Sequence, residues 1–124
     1  MTVIKRVLCP EQLRRVPPQF SWIDHRLVRD RHIAGRSTDA LALYLFLVTV
    51  ADGQGLSYYS DAGIGQRLPL DGPALARARQ ELIRARLIAY EKPLYQVLSL
   101  DPPVPRLGHA QSLGEIVRTL GLPT

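Results

Sequence analysis

The chain of 124 residues is 46% hydrophobic and 22% charged, which is typical of one globular domain and argues against a disordered chain. A single cysteine, Cys9, excludes an internal disulfide and a thiolate zinc site. The longest apolar run, residues 40–51, is much shorter than the roughly 20 residues of a membrane-spanning helix. Because the first residues also lack the apolar stretch of a secretory signal, we expect a cytoplasmic protein.

Positive charge is concentrated in two parts of the chain, whose formal net charge is +5. Residues 1–36 hold eight Lys and Arg against three Asp and Glu, and residues 72–92 hold five against two. Residues 37–71, between them, hold one against four. This segregation favours an anionic partner such as nucleic acid or a lipid surface.

The first predicted elements are an N-terminal arm and two helices. Residues 1–19 are basic and end in a pair of prolines, which predicts an arm or an edge strand. A short helix is expected in "FSWIDHRLVRDRHI", with Ser21 as its N-cap. The segment "STDALALYLFLVTVADGQG" predicts a helix capped by Ser37 or Thr38 and stopped at "GQG". Since this helix is apolar on nearly every side, it should lie in the middle of the core.

A helix, a turn and a second helix follow a short strand in "LSYY". Ser60 can cap the first of these helices, "DAGIGQRL", whose glycines lower its helix propensity. Asp71 can cap the second, over residues 72–86, which places Arg79 and Arg86 toward the core side. Its apolar face is formed by Leu75, Ala78, Leu82 and Ala85, and its polar face by Arg77, Gln80, Glu81 and Arg84.

The last predicted elements are a hairpin and a C-terminal helix. Two β-prone runs, residues 87–90 and 95–100, flank "EKPL" and predict the hairpin. "DPPVPRLGHA" predicts a linker, and a Ser112 cap predicts a short amphipathic helix over residues 112–120. The apolar residues of that helix are Leu113, Ile116, Val117 and Leu120. We expect this helix either to contact a partner or second copy, or to pack back on its own domain.

Residues 20–100 resemble a winged helix-turn-helix DNA-binding domain, and they are most similar to modules of bacterial and phage replication proteins and small transcriptional regulators. Three segments carry the resemblance: "LALYLFLVTVADGQGLSYYS", "SDAGIGQRLPLDGPALARARQELIRARLI" and, as the wing, "AYEKPLYQVLSL". The resemblance implies a mainly α fold with a small antiparallel β-hairpin, between the arm 1–19 and a Pro-rich spacer with a helix in 101–124. The sequence departs from the pattern in the sparse apolar face of "DAGIGQRL" and in Arg86, where glycine is common.

In such a domain the helix 72–86 would enter the major groove of duplex DNA, and the wing would touch the adjacent backbone. Arg77 can donate to both acceptors of guanine, and Gln80 can pair with adenine. Ala74 and Ala76 are small enough for close approach or a thymine methyl contact. Phosphate contacts are expected from Ser60, Arg67, Arg84 and Lys92.

The expected function is non-enzymatic. It is regulation of transcription, or an accessory role in replication on a plasmid, phage or other mobile element, at the nucleoid. No cofactor or metal is expected, because His25 and His32 lack further ligands at metal spacing. A homodimer would allow two half-sites to be bound together. The alternative is a winged-helix module that docks a partner protein within a larger assembly and does not read DNA.

Overall fold

The computed structural model of the protein describes residues 3–102. Within these residues the fold is mainly helical with one small antiparallel sheet. Its elements are α1 (Arg26–Arg29), α2 (Thr38–Val50), β1 (Leu56–Tyr58), α3 (Asp61–Gly65), α4 (Gly72–Arg84), β2 (Ile88–Glu91) and β3 (Leu94–Val97). The helix predicted over 112–120 lies outside the described residues.

The core is built around α2 and α4, which pack against each other. The Ser37 hydroxyl accepts the Ala40 N–H at 3.1 Å, so the predicted N-cap of α2 is confirmed. α2 ends at Val50, before the glycines expected to stop it. Its buried residues are Ala40, Leu43, Tyr44 and Leu47. Leu45 is 56% exposed, so α2 lines one side of the core, and its expected place in the middle was wrong.

The sheet has the strand order β1–β3–β2, with both neighbours antiparallel to β3. The predicted hairpin is confirmed, although its strands are 88–91 and 94–97 and the short β1 extends it to three strands. Tyr95 faces the core and is fully buried at the centre of the sheet. Tyr58, the last residue of β1, is exposed, and Tyr59, which follows the strand, is half-buried against the core.

Gly55 forms the entry to β1. Its φ is +85°, and its carbonyl accepts the Val97 N–H at 2.9 Å. A Cβ at this position would lie 2.7 Å from the Val97 carbonyl oxygen. Only glycine therefore allows both the left-handed turn and the close approach to β3.

α3, a short turn and α4 follow β1 in the chain. The predicted caps are confirmed: the Ser60 hydroxyl accepts the Gly63 N–H, and the Asp71 carboxylate accepts the Ala74 N–H. α3 is short, but Ile64 is fully buried and attaches it to α4. Leu70 closes the turn from inside the core.

The N-terminal region differs most from the prediction. Within the described residues, the arm up to position 19 contains no strand, only a 3-10 turn at Pro10–Gln12. α1 begins where the Asp24 carboxylate accepts the Arg26 N–H, and it ends just before Arg31, whose φ of +63° is left-handed. Ser21 is not the cap, since its hydroxyl donates to the Thr49 carbonyl.

The end of α4 is also distinctive. α4 stops at Arg84, and Arg86 takes a left-handed φ of +60°. The Arg86 N–H donates to the Ile83 carbonyl and the Leu87 N–H to the Leu82 carbonyl, the pair of bonds that defines a Schellman motif. Arg86 is consequently exposed, and its expected position on the core side was wrong.

Candidate nucleic-acid interface

One side of α4 presents polar side chains to solvent. Leu75, Ala78 and Leu82 are buried, which fixes the orientation of the helix. The opposite side exposes Ala76, Arg77, Gln80 and Arg84, while Ala74 is half-buried. We call Arg77, Gln80 and Arg84 the exposed stripe of α4. Within residues 3–102, neither arginine of the stripe forms a salt bridge.

Arg79 stands between the stripe arginines in sequence but has a different position. Its side chain is only 10% exposed and donates to the Asp61 carboxylate at 2.9 Å and to the Tyr95 hydroxyl at 2.7 Å. The guanidinium also lies over the Tyr90 ring, 4.5 Å from its centroid. One side chain thus joins α4, the start of α3 and both strands of the hairpin. The expectation that Arg79 faces the core is confirmed.

The Arg79 contacts also set the local electrostatics. The hydrogen bond from Arg79 lowers the pKa of Asp61, which therefore stays ionised. Burial raises the pKa of Tyr95, so its hydroxyl stays protonated. Because Arg79 neutralises Asp61, this carboxylate adds no uncompensated negative charge beside α3.

Three of the four phosphate candidates come together around the start of α3. The Tyr59 N–H donates to the Pro93 carbonyl at 3.2 Å, which ties the hairpin tip with Lys92 to the residue before Ser60. Arg67 donates to the Gly63 carbonyl at 2.9 Å and lies over the Tyr59 ring. We call Ser60, Arg67 and Lys92 the α3 cluster.

The residues of the α3 cluster differ in how many of their hydrogen-bond donors remain available to a ligand. Lys92 is exposed, and no carboxylate forms a salt bridge with it in the described part of the chain. The Ser60 hydroxyl already accepts a backbone N–H, but its own proton can still be donated. Arg67 has further donors besides the one that binds the Gly63 carbonyl. Arg84, the fourth phosphate candidate, lies apart on α4.

Glu81, on the polar face of α4, binds the start of α2. Its carboxylate accepts the Ser37 N–H at 2.7 Å and the Ser37 hydroxyl at 2.8 Å. These backbone and side-chain hydrogen bonds lower the pKa of Glu81. Glu81 therefore contacts the start of α2, although the helical pattern placed it on the polar face of α4 with the candidate DNA-binding residues. Nothing in the sequence links two residues 44 positions apart, so only the fold reveals this contact.

The remaining observations concern metal sites, membrane-spanning helices and similarity to known proteins. Among the described residues, no group of three His, Cys, Asp or Glu side chains could hold a metal ion. The same part of the chain contains no helix with the length and apolar character required to cross a bilayer. Comparison of the chain with models of protein families, with curated proteins and with solved structures gives no match.

Proposed function

We propose that this protein binds duplex DNA as a winged helix-turn-helix domain, with α4 in the major groove. The observation that carries the proposal is the exposed stripe of α4: a glutamine and two arginines, neither of which forms a salt bridge in residues 3–102, on a helix oriented by a buried face. Arginine and glutamine side chains can each make paired hydrogen bonds to a base edge. α4 has 13 residues and is thus roughly 20 Å long, enough to cross the groove.

The arrangement around α4 supports the same function. The order helix, strand, helix, turn, helix, hairpin is the one that a winged helix-turn-helix requires, and Arg79 fixes the hairpin relative to α4. The α3 cluster supplies groups suited to phosphate contacts beside the groove-binding helix. The protein would act, without enzymatic activity, as a transcriptional regulator or as an accessory factor in replication on a mobile element.

The alternative, a protein-interaction module without DNA reading, is favoured by a different observation. Large apolar side chains stay exposed along the N-terminal region, including Phe20, Trp22 and Ile23. Such a patch is more typical of a protein contact than of a phosphate contact.

Fluorescence anisotropy with labelled random-sequence duplex DNA tests the proposal. Binding should weaken steeply as salt rises from about 50 to 200 mM, because phosphate contacts release counterions. Arg84→Ala should reduce the salt slope by about 1, and Arg77→Ala should cost about 1–3 kcal/mol on a selected site.

Arg29→Ala is the matched control, because it removes one exposed positive charge that is paired with Asp30 and lies outside the proposed interface. If all three variants bind like the parent protein, or if no duplex binds at low salt, the DNA proposal is wrong. The search would then turn to protein partners of the exposed N-terminal side chains.

A further inference from the structure

A cleft of about 650 Å³ lies on the N-terminal side of the domain. Three parts of the chain form it: the segment 20–27, the end of α2 with the following turn, and residues 96–101. Its apolar lining includes Phe20, Trp22, Leu27, Tyr44, Val97 and Leu100. Trp22 and Phe20 both line the cleft, and they are 74% and 64% exposed. Such a contiguous apolar surface on a small domain is typical of a binding site.

Polar contacts hold the walls of the cleft in place. Arg26 donates to Asp24 at 2.7 Å and to Asp101 at 2.6 Å, which joins the N-terminal wall to the end of the described chain. The Ser21 hydroxyl bonds the Thr49 carbonyl and attaches the same wall to α2. These bonds fix the walls relative to one another, and Phe20 and Trp22 present exposed apolar surface beside them.

The chain leaves the described domain at this cleft. Leu100 and Asp101 line it, and residues 103–124 follow directly. Residues 102–111 could span up to about 33 Å when extended, whereas a domain of this size has a radius of gyration of only about 13 Å. The segment 112–120 can thus reach every part of the cleft.

The segment 112–120 also has matching chemistry. Leu113, Ile116, Val117 and Leu120 recur at the spacing that aligns side chains on one face of a helix. A helix of nine residues is about 13 Å long, and the cleft has the size of sites that enclose a drug-sized molecule. The cleft can therefore accept a few apolar side chains from a short helix, but not a folded domain.

We propose that residues 112–120 of the same chain occupy this cleft, with their apolar side chains against Trp22 and the lining around it. The covalent linker favours this occupant over a second copy, because a short tether gives an effective concentration in the millimolar range. The interaction is independent of the proposed DNA contacts, which lie on α4 and around α3.

The single tryptophan of the chain, Trp22, reports on the cleft directly. In the full-length protein, Ile116→Glu should shift Trp22 emission to longer wavelength and increase its quenching by acrylamide. Arg118→Glu is the matched control, because it creates the same residue on the opposite side of the predicted helix and should leave both signals unchanged. Leu120→Glu should reproduce the Ile116→Glu result.

Thermal unfolding followed by circular dichroism verifies that each variant keeps its folded domain, whose core lies within residues 3–102. Identical emission and quenching in the parent protein and all variants would overturn the proposal. So would an emission shift that appears only as protein concentration rises, because the occupant would then come from a second copy.

Discussion

Arg77 and Arg79 lie two positions apart in α4, yet they have opposite environments. Arg77 is exposed, whereas Arg79 is buried and bound to Asp61 and Tyr95. The difference follows from the helical period, because two residues correspond to a rotation of about 200°. The number of arginines in a helix is therefore larger than the number of positive charges that a ligand can contact.

Arg86 is one of two non-glycine residues with a left-handed φ in the described part of the chain, the other being Arg31. A non-glycine residue in the left-handed region destabilises the fold by about 1–2 kcal/mol. Glycine removes this strain, but it also increases the conformational entropy of the unfolded chain, which cancels part of the stabilisation. We expect Arg86→Gly to stabilise the fold by about 0.5–1 kcal/mol and to raise Tm by roughly 2–8 °C.

Thermal denaturation of the purified variants measures this effect. Arg86→Ala is the control, since it removes the same side chain but keeps the Cβ responsible for the strain. If alanine stabilises the protein as much as glycine, the cause is the arginine side chain and not the backbone conformation.

At the scale of elements, the contact between Glu81 and Ser37 joins the middle of α4 to the first turn of α2. Ser37 uses its hydroxyl oxygen to cap α2 while its N–H and O–H donate to Glu81. The two longest helices of the described chain are thus linked by a charged hydrogen-bond pair as well as by apolar packing.

Loss of this link should be measurable. Glu81→Ala should destabilise the protein by about 1–2 kcal/mol, because two bonds to a carboxylate are lost and the cap of α2 is weakened. Gln80→Ala changes the neighbouring exposed position and should stay within about 0.5 kcal/mol of the parent. Urea denaturation of both variants at neutral pH compares them, and equal stabilities would contradict the structural role of Glu81.

Elements with local signals could be predicted from the sequence. Ser37, Ser60 and Asp71 each directly precede a predicted helix and satisfy one of its N–H groups without help from distant residues. The hairpin could be predicted because β-prone residues flank a short turn. The short helix α1 was also predicted, but its start was not, because the contact of Asp24 with Arg26 replaces the expected Ser21 cap.

The candidate site was predictable only in part, for a physical reason. The exposure of Arg77, Gln80 and Arg84 follows from helical geometry, and the sequence predicts it correctly. The bond of Arg79 to Asp61 and that of Glu81 to Ser37 depend on how α4 packs against α3 and α2. Contacts between residues on different elements produce no periodic pattern in a single sequence, so they could not be predicted from it.

For the molecule as a whole, the free energy of unfolding at low pH depends on aspartate side chains that are bound by arginines. Arg26 lowers the pKa of Asp24 to about 2 through side-chain and backbone hydrogen bonds. An aspartate whose pKa is lower in the folded than in the unfolded state stabilises the fold above its unfolded pKa, and this contribution is lost as the pH falls through the folded value. The free energy of unfolding should therefore decrease between about pH 4 and pH 2.

Asp24→Asn should flatten this decrease, because the substituted side chain no longer titrates. Asp39→Asn, which removes an exposed carboxylate outside the salt bridges of the described residues, serves as the control. Urea denaturation at several pH values between 2 and 5 compares the three proteins. An unchanged slope in Asp24→Asn would show that Asp24 does not contribute to acid sensitivity.

Gly55 carries a consequence for how this sequence can vary. Its backbone turns into β1 with a φ of +85° and passes so close to Val97 that no side chain fits. A Cβ added at Gly53, two positions earlier, would have no other atom within 4 Å. In a population of functional variants, position 53 would accept many amino acids, whereas position 55 would keep glycine in nearly all. At the edge of the sheet, a position that tolerates only glycine would thus lie two residues from one that tolerates most substitutions.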